Sequence, residues 1–207
     1  VASVGWLARL TAMQGPIIRS SRPAITSLLA SHCDSGWFKF FARSGQEEKR
    51  HMDQLPVFAE SVPAIEGKTI YPEPFASRVK GRTKRKLGNY FGLTNFGVNL
   101  TSLTPGSVTA LLHHHSKQDE FIYILEGTAT LVLGKEEHLM NAGDCFGVKA
   151  GTGIACQLIN KSNDIVTLLE IGDRSLGDEV EYPNDDLKVV LSETGEWKVT
   201  HKDGSPY

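Results

Sequence analysis

Cysteine is scarce in this chain of 207 residues, and the three present, Cys33, Cys145 and Cys156, are odd in number and never fall in a Cys-x-x-Cys spacing. That argues against a secreted disulfide framework and makes a reducing compartment the default. No apolar run approaches the ~20 residues that a membrane helix needs, so no membrane partner is expected. An excess of one charge is lacking too. Lys and Arg number 22 against 24 Asp and Glu, a formal charge of −2 with a pI near 6.4, which leaves no basic face at the level of the whole chain to recommend a nucleic-acid partner. Long helical periods and internal repeats are also missing. The expected location is the cytoplasm, or an organelle if the first residues are a transit peptide. The length suits one domain of ordinary size, and a core built from about 150 residues would bury about two thirds of the unfolded surface without help from a disulfide or a metal.

Three regions differ in texture. Residues 1–51 are basic and serine-rich, with Asp34 the only acid before Glu47. This stretch reads as a leader, either a transit peptide or extraneous sequence upstream of Met52, with a genuine structural extension as the third reading. Residues 25–41 within it have the apolar content of a short amphipathic helix. Residues 52–91 are punctuated by Pro56, Pro63, Pro72 and Pro74, which predicts an irregular arm lying over the main domain. The dense basic run Lys80–Lys86 inside that arm is read as a solvated loop rather than an anion-binding one, because no glycine-rich cradle accompanies it.

Residues 92–207 hold short apolar strands separated by turn signals. Strands are expected at 98–103, 108–115, 121–126, 128–133, 138–140, 145–148, 155–160 and 165–171, with a last hairpin from 188–191 and 197–200. This regular spacing belongs to an all-β sandwich or barrel. Gly127, Gly143, Gly151 and Gly153 fall at the turns.

Chemistry concentrates in one place. If Val108 to His115 is a single strand, His113 and His115 project to one face and His114 to the other. An antiparallel return after Ser116-Lys117-Gln118-Asp119 would bring Glu120 beside them. Neutral imidazole offers one ring nitrogen to a metal, and a carboxylate offsets the charge of a divalent ion. Two histidines with one carboxylate form the facial set associated with non-haem iron, which leaves positions open for substrate. Among other polar residues, Tyr123 falls on the strand face opposite Glu120, and Gln118 and Gln157 are weaker candidates. Cys145 reads as core or turn packing and His138 as a solvated strand residue. His32, His51 and His201 have no evident partners.

The segment Gly106 to Gly127 resembles the first conserved motif of the cupin superfamily: a glycine, His113-x-His115, four residues, Glu120, six residues, Gly127. Only the gap after Gly106 departs, with six residues where five are usual. The stretch from Gly143 through Gly151-Thr152-Gly153 to Asn160 is similar to the second motif. There, Lys149 stands where proline is common, and Cys156 stands where a third metal histidine would fall. The likeness covers roughly residues 92–172 well. It implies a double-stranded β-helix barrel, jelly-roll-like, with an irregular N-terminal arm. It also implies a homodimer and one divalent ion (zinc, iron, manganese or nickel) held by His113, His115 and Glu120.

Cys156 is either a fourth ligand, which as thiolate would favour zinc or iron over manganese, or a buried hydrophobe. A barrel without metal, in which the histidines merely line a cavity, is the plain alternative. Two functions stay open because the fold hosts many activities. One is a metal-dependent enzyme acting on a small organic or carbohydrate-like substrate by oxygenation, isomerisation or lyase chemistry. The other is a non-catalytic cupin that binds a small ligand in a regulatory role.

Overall fold

The computed structural model describes residues 55–207. The leader expected at residues 1–51, with its amphipathic segment, lies outside them. Within the described residues the chain forms strands β1 (Ile65–Glu66), β2 (Arg82–Lys86), β3 (Phe96–Leu103), β4 (His114–His115), β5 (Glu120–Glu126), β6 (Thr128–Leu133), β7 (Glu136–Asn141), β8 (Cys145–Val148), β9 (Cys156–Ile159), β10 (Val166–Asp173), β11 (Glu179–Glu181), β12 (Lys188–Leu191) and β13 (Trp197–Thr200). A single helical turn, α1 (Leu87–Tyr90), and two 3₁₀ turns accompany them. The strands pair antiparallel in the orders β1-β2-β3-β10-β5-β8, β13-β12-β11-β4 and β7-β6-β9. This is the expected all-β double-stranded β-helix barrel.

Strand alternation builds the interior. Across the six-stranded sheet, Ile124 pairs with Leu168, Leu168 with Thr101, and Thr101 with Lys84. Opposed residues share a face, and Ile124 and Leu168 are fully buried, so this whole row points inward. The next row, Ile122, Glu170, Asn99 and Lys86, and then Glu120 with Gly172 and Gly97, point the same way. Phe121, Tyr123 and Leu125 alternate to the outer face and are exposed.

Two apolar clusters hold the layers together. One joins Leu103, Ile124, Val166 and Leu168 of the six-stranded sheet to Ala129, Leu131, Met140 and Leu158 of the three-stranded one. Each such leucine contributes roughly 1.5–3 kcal/mol by burial. The other packs Tyr71, Phe75 and Val79 of the 55–91 segment against Leu111, Val180, Tyr182, Leu187 and Val189. At the β5–β6 turn Gly127 has φ +81°, and a Cβ there would sit 2.7 Å from the Ile165 carbonyl oxygen. No side chain fits that turn.

The structure differs from the sequence reading at several places. From Arg82 to Lys86 the basic run is a strand rather than a solvated loop. Arg82 reaches the Thr109 carbonyl, Lys84 pairs with Glu170 and Arg85 donates to the Val62 carbonyl, so these three are engaged internally, while Lys80 and Lys86 are exposed. Residues 108–115 are not one strand either. Val108 and His113 form isolated bridges to Ile159 and Cys156, and only His114–His115 extends as β4. Between them the backbone is held by side chains, with Gln157 Nε2 donating to the Ala110 carbonyl at 2.7 Å. Cys145 is exposed rather than packed.

Candidate metal centre

His113 and His115 do converge, but Glu120 arrives by a different route from the one the hairpin suggested. β4 pairs with β11, His114 opposite Glu181 and His115 opposite Val180, whereas β5 pairs with β8 and β10. Glu120 therefore faces the histidines from another sheet across the barrel. Its carboxylate sits with Oε2 3.7 Å from His113 Nε2 and Oε1 3.5 Å from His115 Nε2. One donor atom from each of the three residues lies within 4.8 Å of the others.

Both rings are held so that Nε2 is the free nitrogen. His113 Nδ1 donates to the Leu111 carbonyl at 2.7 Å. His115 Nδ1 donates to Asp178 Oδ2 at 2.5 Å. Asp178 is buried, and its other oxygen accepts from the Lys117 N–H at 2.8 Å, the Gln118 N–H at 3.2 Å and the Ser116 hydroxyl at 3.2 Å. A carbonyl and a carboxylate behind metal-ligating imidazoles fix their tautomer and raise their basicity. Ligands about 2.0–2.1 Å from a zinc-sized ion can lie up to about 4.2 Å apart. The 3.5 and 3.7 Å separations fall inside that limit, so each histidine–carboxylate pair fits a divalent ion, and the three donors lie within 4.8 Å of one another.

The electrostatics agree in sign. Burial opposes a charged His115, but the hydrogen bonds and charges of Asp178 and Glu120 outweigh it and lift the ring to about 9. Burial likewise opposes a charged Glu120, yet the adjacent His113 and His115 rings hold its carboxyl well below the usual carboxylate range. Two carboxylates thus converge where positive charge is favoured.

Cys156 stands apart. It is buried in the core cluster, its backbone bridges His113, and its sulfur is outside the donor group. Burial, with the Glu120 charge adding, pushes the thiol up to about 12, so it is not a ready thiolate. Cys156→Ser is expected to leave metal affinity within about tenfold, about 1.4 kcal/mol. Zinc titration checks this, and a hundredfold loss would make the cysteine a ligand.

The remaining candidates fall elsewhere. Gln118 pins a loop through the Ser175 carbonyl at 2.9 Å, and His138 is solvent-facing beside Glu136. His201 stacks on Tyr207 and bonds Asp186. A groove of about 400 Å³ between β7 and β8, lined by Leu139, Cys145 and Phe146 among others, contains none of the three donors. Sequence reasoning missed Asp178, Tyr71 and Tyr182. The Tyr182 ring stacks on His113 with centroids 5.7 Å apart, and its hydroxyl bonds that of Tyr71 at 3.2 Å. No motif marks any of them.

Comparison with known proteins follows the same lines. The cupin domain family matches residues 99–172. A crystal structure from Silicibacter pomeroyi, described as a sugar phosphate isomerase from a cupin superfamily, is 34% identical, with 74% of this chain and 96% of that chain covered and a TM-score of 0.69. This chain belongs to the cupin superfamily. A second structure similar to this cupin comes from Acidithiobacillus ferrooxidans and is assigned provisionally as a sugar phosphate isomerase. It is 25% identical, with 67% of this cupin and 95% of that chain covered and a TM-score of 0.55. No curated protein matches the cupin. No helix among its described residues is long and apolar enough to cross a membrane.

Proposed function

We propose that this cupin is a metal-dependent isomerase of a phosphorylated sugar, with one divalent ion held by His113, His115 and Glu120. The observation that carries the reading is the convergence of two oriented Nε2 atoms and a carboxylate. The 34% likeness to a structure described as a sugar phosphate isomerase, covering 96% of it, favours isomerisation over oxygenation or lyase chemistry. Zinc, iron, manganese and nickel all accept this donor set, and any of them would act as a Lewis acid on a substrate carbonyl or hydroxyl.

The chain's own residues supply the rest. Glu120 offsets the ion's charge, Asp178 and the Leu111 carbonyl hold the imidazoles in register, and Tyr182 stacked on His113 closes one wall. A phosphate group needs a cation, and Arg82 offers one. It is half-buried and bonds the Thr109 carbonyl and Thr69 Oγ1, and among the described residues it has no carboxylate partner. Thr69 Oγ1 also accepts from the Tyr71 N–H, which ties Arg82 to the tyrosine pair beside His113. A homodimer belongs to the same proposal and is read by sedimentation velocity.

The test incubates the full chain, metal-loaded or treated with EDTA, with a panel of aldose and ketose phosphates followed by NMR. Metal-dependent interconversion of one pair is expected. Binding of these phosphates without turnover would make the protein a ligand-binding cupin and overturn the isomerase reading.

A further inference from the structure

A second polar cluster lies on the barrel's inner wall and takes no part in holding the metal donors. Glu170 of β10 carries it. Lys84 Nζ lies 2.8 Å from Glu170 Oε2 and 3.1 Å from Oε1, and the Thr101 hydroxyl bonds Oε2. Thr101 is fully buried, while the Lys84 and Glu170 side chains are 25% and 18% exposed. The pair is thus sheltered, though each side chain keeps part of its surface accessible. An ion pair in a barrel interior is weak evidence for stability, since desolvation offsets much of the attraction.

Its position ties it to the metal donors. Glu120 opposes Gly172, and Ile122 opposes Glu170, on adjacent paired strands. Glu170 is therefore the diagonal neighbour of Glu120 on the same face, a relation that spans about 7–8 Å. Gly172 puts no side chain in the way. A Cβ added there would come within 4.0 Å of the Glu120 side chain. A substrate whose oxygen meets the three donors would present its adjacent carbons toward this second carboxylate.

We infer that Glu170 is the proton-transferring carboxylate of the site, oriented by Lys84 and Thr101, and that it shuttles a proton between adjacent carbons of an aldose or ketose phosphate. This rests on the isomerase reading above. From aldose to ketose, the C2–H bond breaks and its proton passes to the Glu170 carboxylate, while the electron pair forms the C1–C2 double bond of an enediolate whose former carbonyl oxygen takes the O2 proton. The Glu170 proton then returns to C1 as the O2 carbonyl forms. Atoms and electrons balance with no further reactant. Glu120 is itself one of the three metal donors, its two oxygens facing the histidines, whereas Glu170 lies outside that set.

The experiment follows sugar phosphate turnover and deuterium wash-in by NMR in heavy water, with metal content and thermal midpoint measured alongside. The full metal-loaded chain is compared with Glu170→Gln and with the double variant Lys84→Met/Glu170→Gln. General acid–base groups contribute typically 10²–10⁴-fold, so Glu170→Gln is expected to lose at least about a hundredfold in kcat and wash-in with metal content unchanged. The double variant removes the unpaired ammonium, so it should hold its fold, stay inactive, and carry the comparison if Glu170→Gln alone unfolds. Turnover by Glu170→Gln within about tenfold of the parent, or recovery of turnover in the double variant, would make the pair a staple for β2 and overturn this inference alone. Absence of both turnover and wash-in in the parent would instead remove the isomerase reading and the inference with it.

Discussion

Alanine at His113 or His115 is expected to lower metal affinity by more than about a hundredfold, beyond the 10–100-fold that loss of an outer partner typically costs. Each ring contributes the only nitrogen that reaches its own oxygen of Glu120, at 3.7 and 3.5 Å. Removing either leaves two donors, and water must complete the coordination. His114→Ala should change affinity little, because its ring lies on the other side of the strand, with Nε2 3.6 Å from Glu181 Oε2. Titration of the three variants with zinc reads the contrast. Equal loss in all three would mean that β4 does not alternate as described, and that the site is not built on His113 and His115.

The second large effect is placed on a residue that touches no metal. Asp178→Asn should destabilise the fold by about 3 kcal/mol or more, since breaking a buried charged pair leaves its partners uncompensated. The carboxylate accepts from the His115 ring on one oxygen, and from the Lys117 N–H, the Gln118 N–H and the Ser116 hydroxyl on the other. An amide cannot reproduce this, because its NH₂ group must face one of those donors. At about 2–4 °C per kcal/mol for a domain of this size, the thermal midpoint should drop by roughly 6–12 °C. Metal affinity should fall by about 10–100-fold as His115 loses its orientation. An unchanged midpoint with unchanged zinc affinity would remove Asp178 from the site.

The contrast between Asp178 and the histidines shows what the sequence makes legible. His113, His115 and Glu120 lie within eight residues of one another, and their spacing survives as a local pattern. Asp178 meets His115 across 63 positions of chain, just before the short strand that pairs with β4, and nothing local in the sequence distinguishes it from the acids that stay on the surface. β6, β8, β12 and β13 are readable to their end residues because apolar runs there end at turn residues such as Gly134-Lys135 and Thr194-Gly195. β2 was not, because Arg82 and Lys84 look solvated until their partners, the Thr109 carbonyl and Glu170, are brought to them by β3 and β10. The stretch from Val108 to His113 has the composition of a strand, yet it follows the curve of the barrel and pairs with β9 only near its ends. That curvature brings Glu120 opposite the histidines from a different sheet.

Elemental analysis of the full chain, purified without a histidine tag and incubated in turn with zinc, iron, manganese and nickel before gel filtration, tests the metal centre most directly. The geometry of His113, His115 and Glu120 predicts close to one divalent ion per chain for at least one of these metals, lost when either histidine is replaced. A protein that emerges metal-free from all four incubations would contradict it.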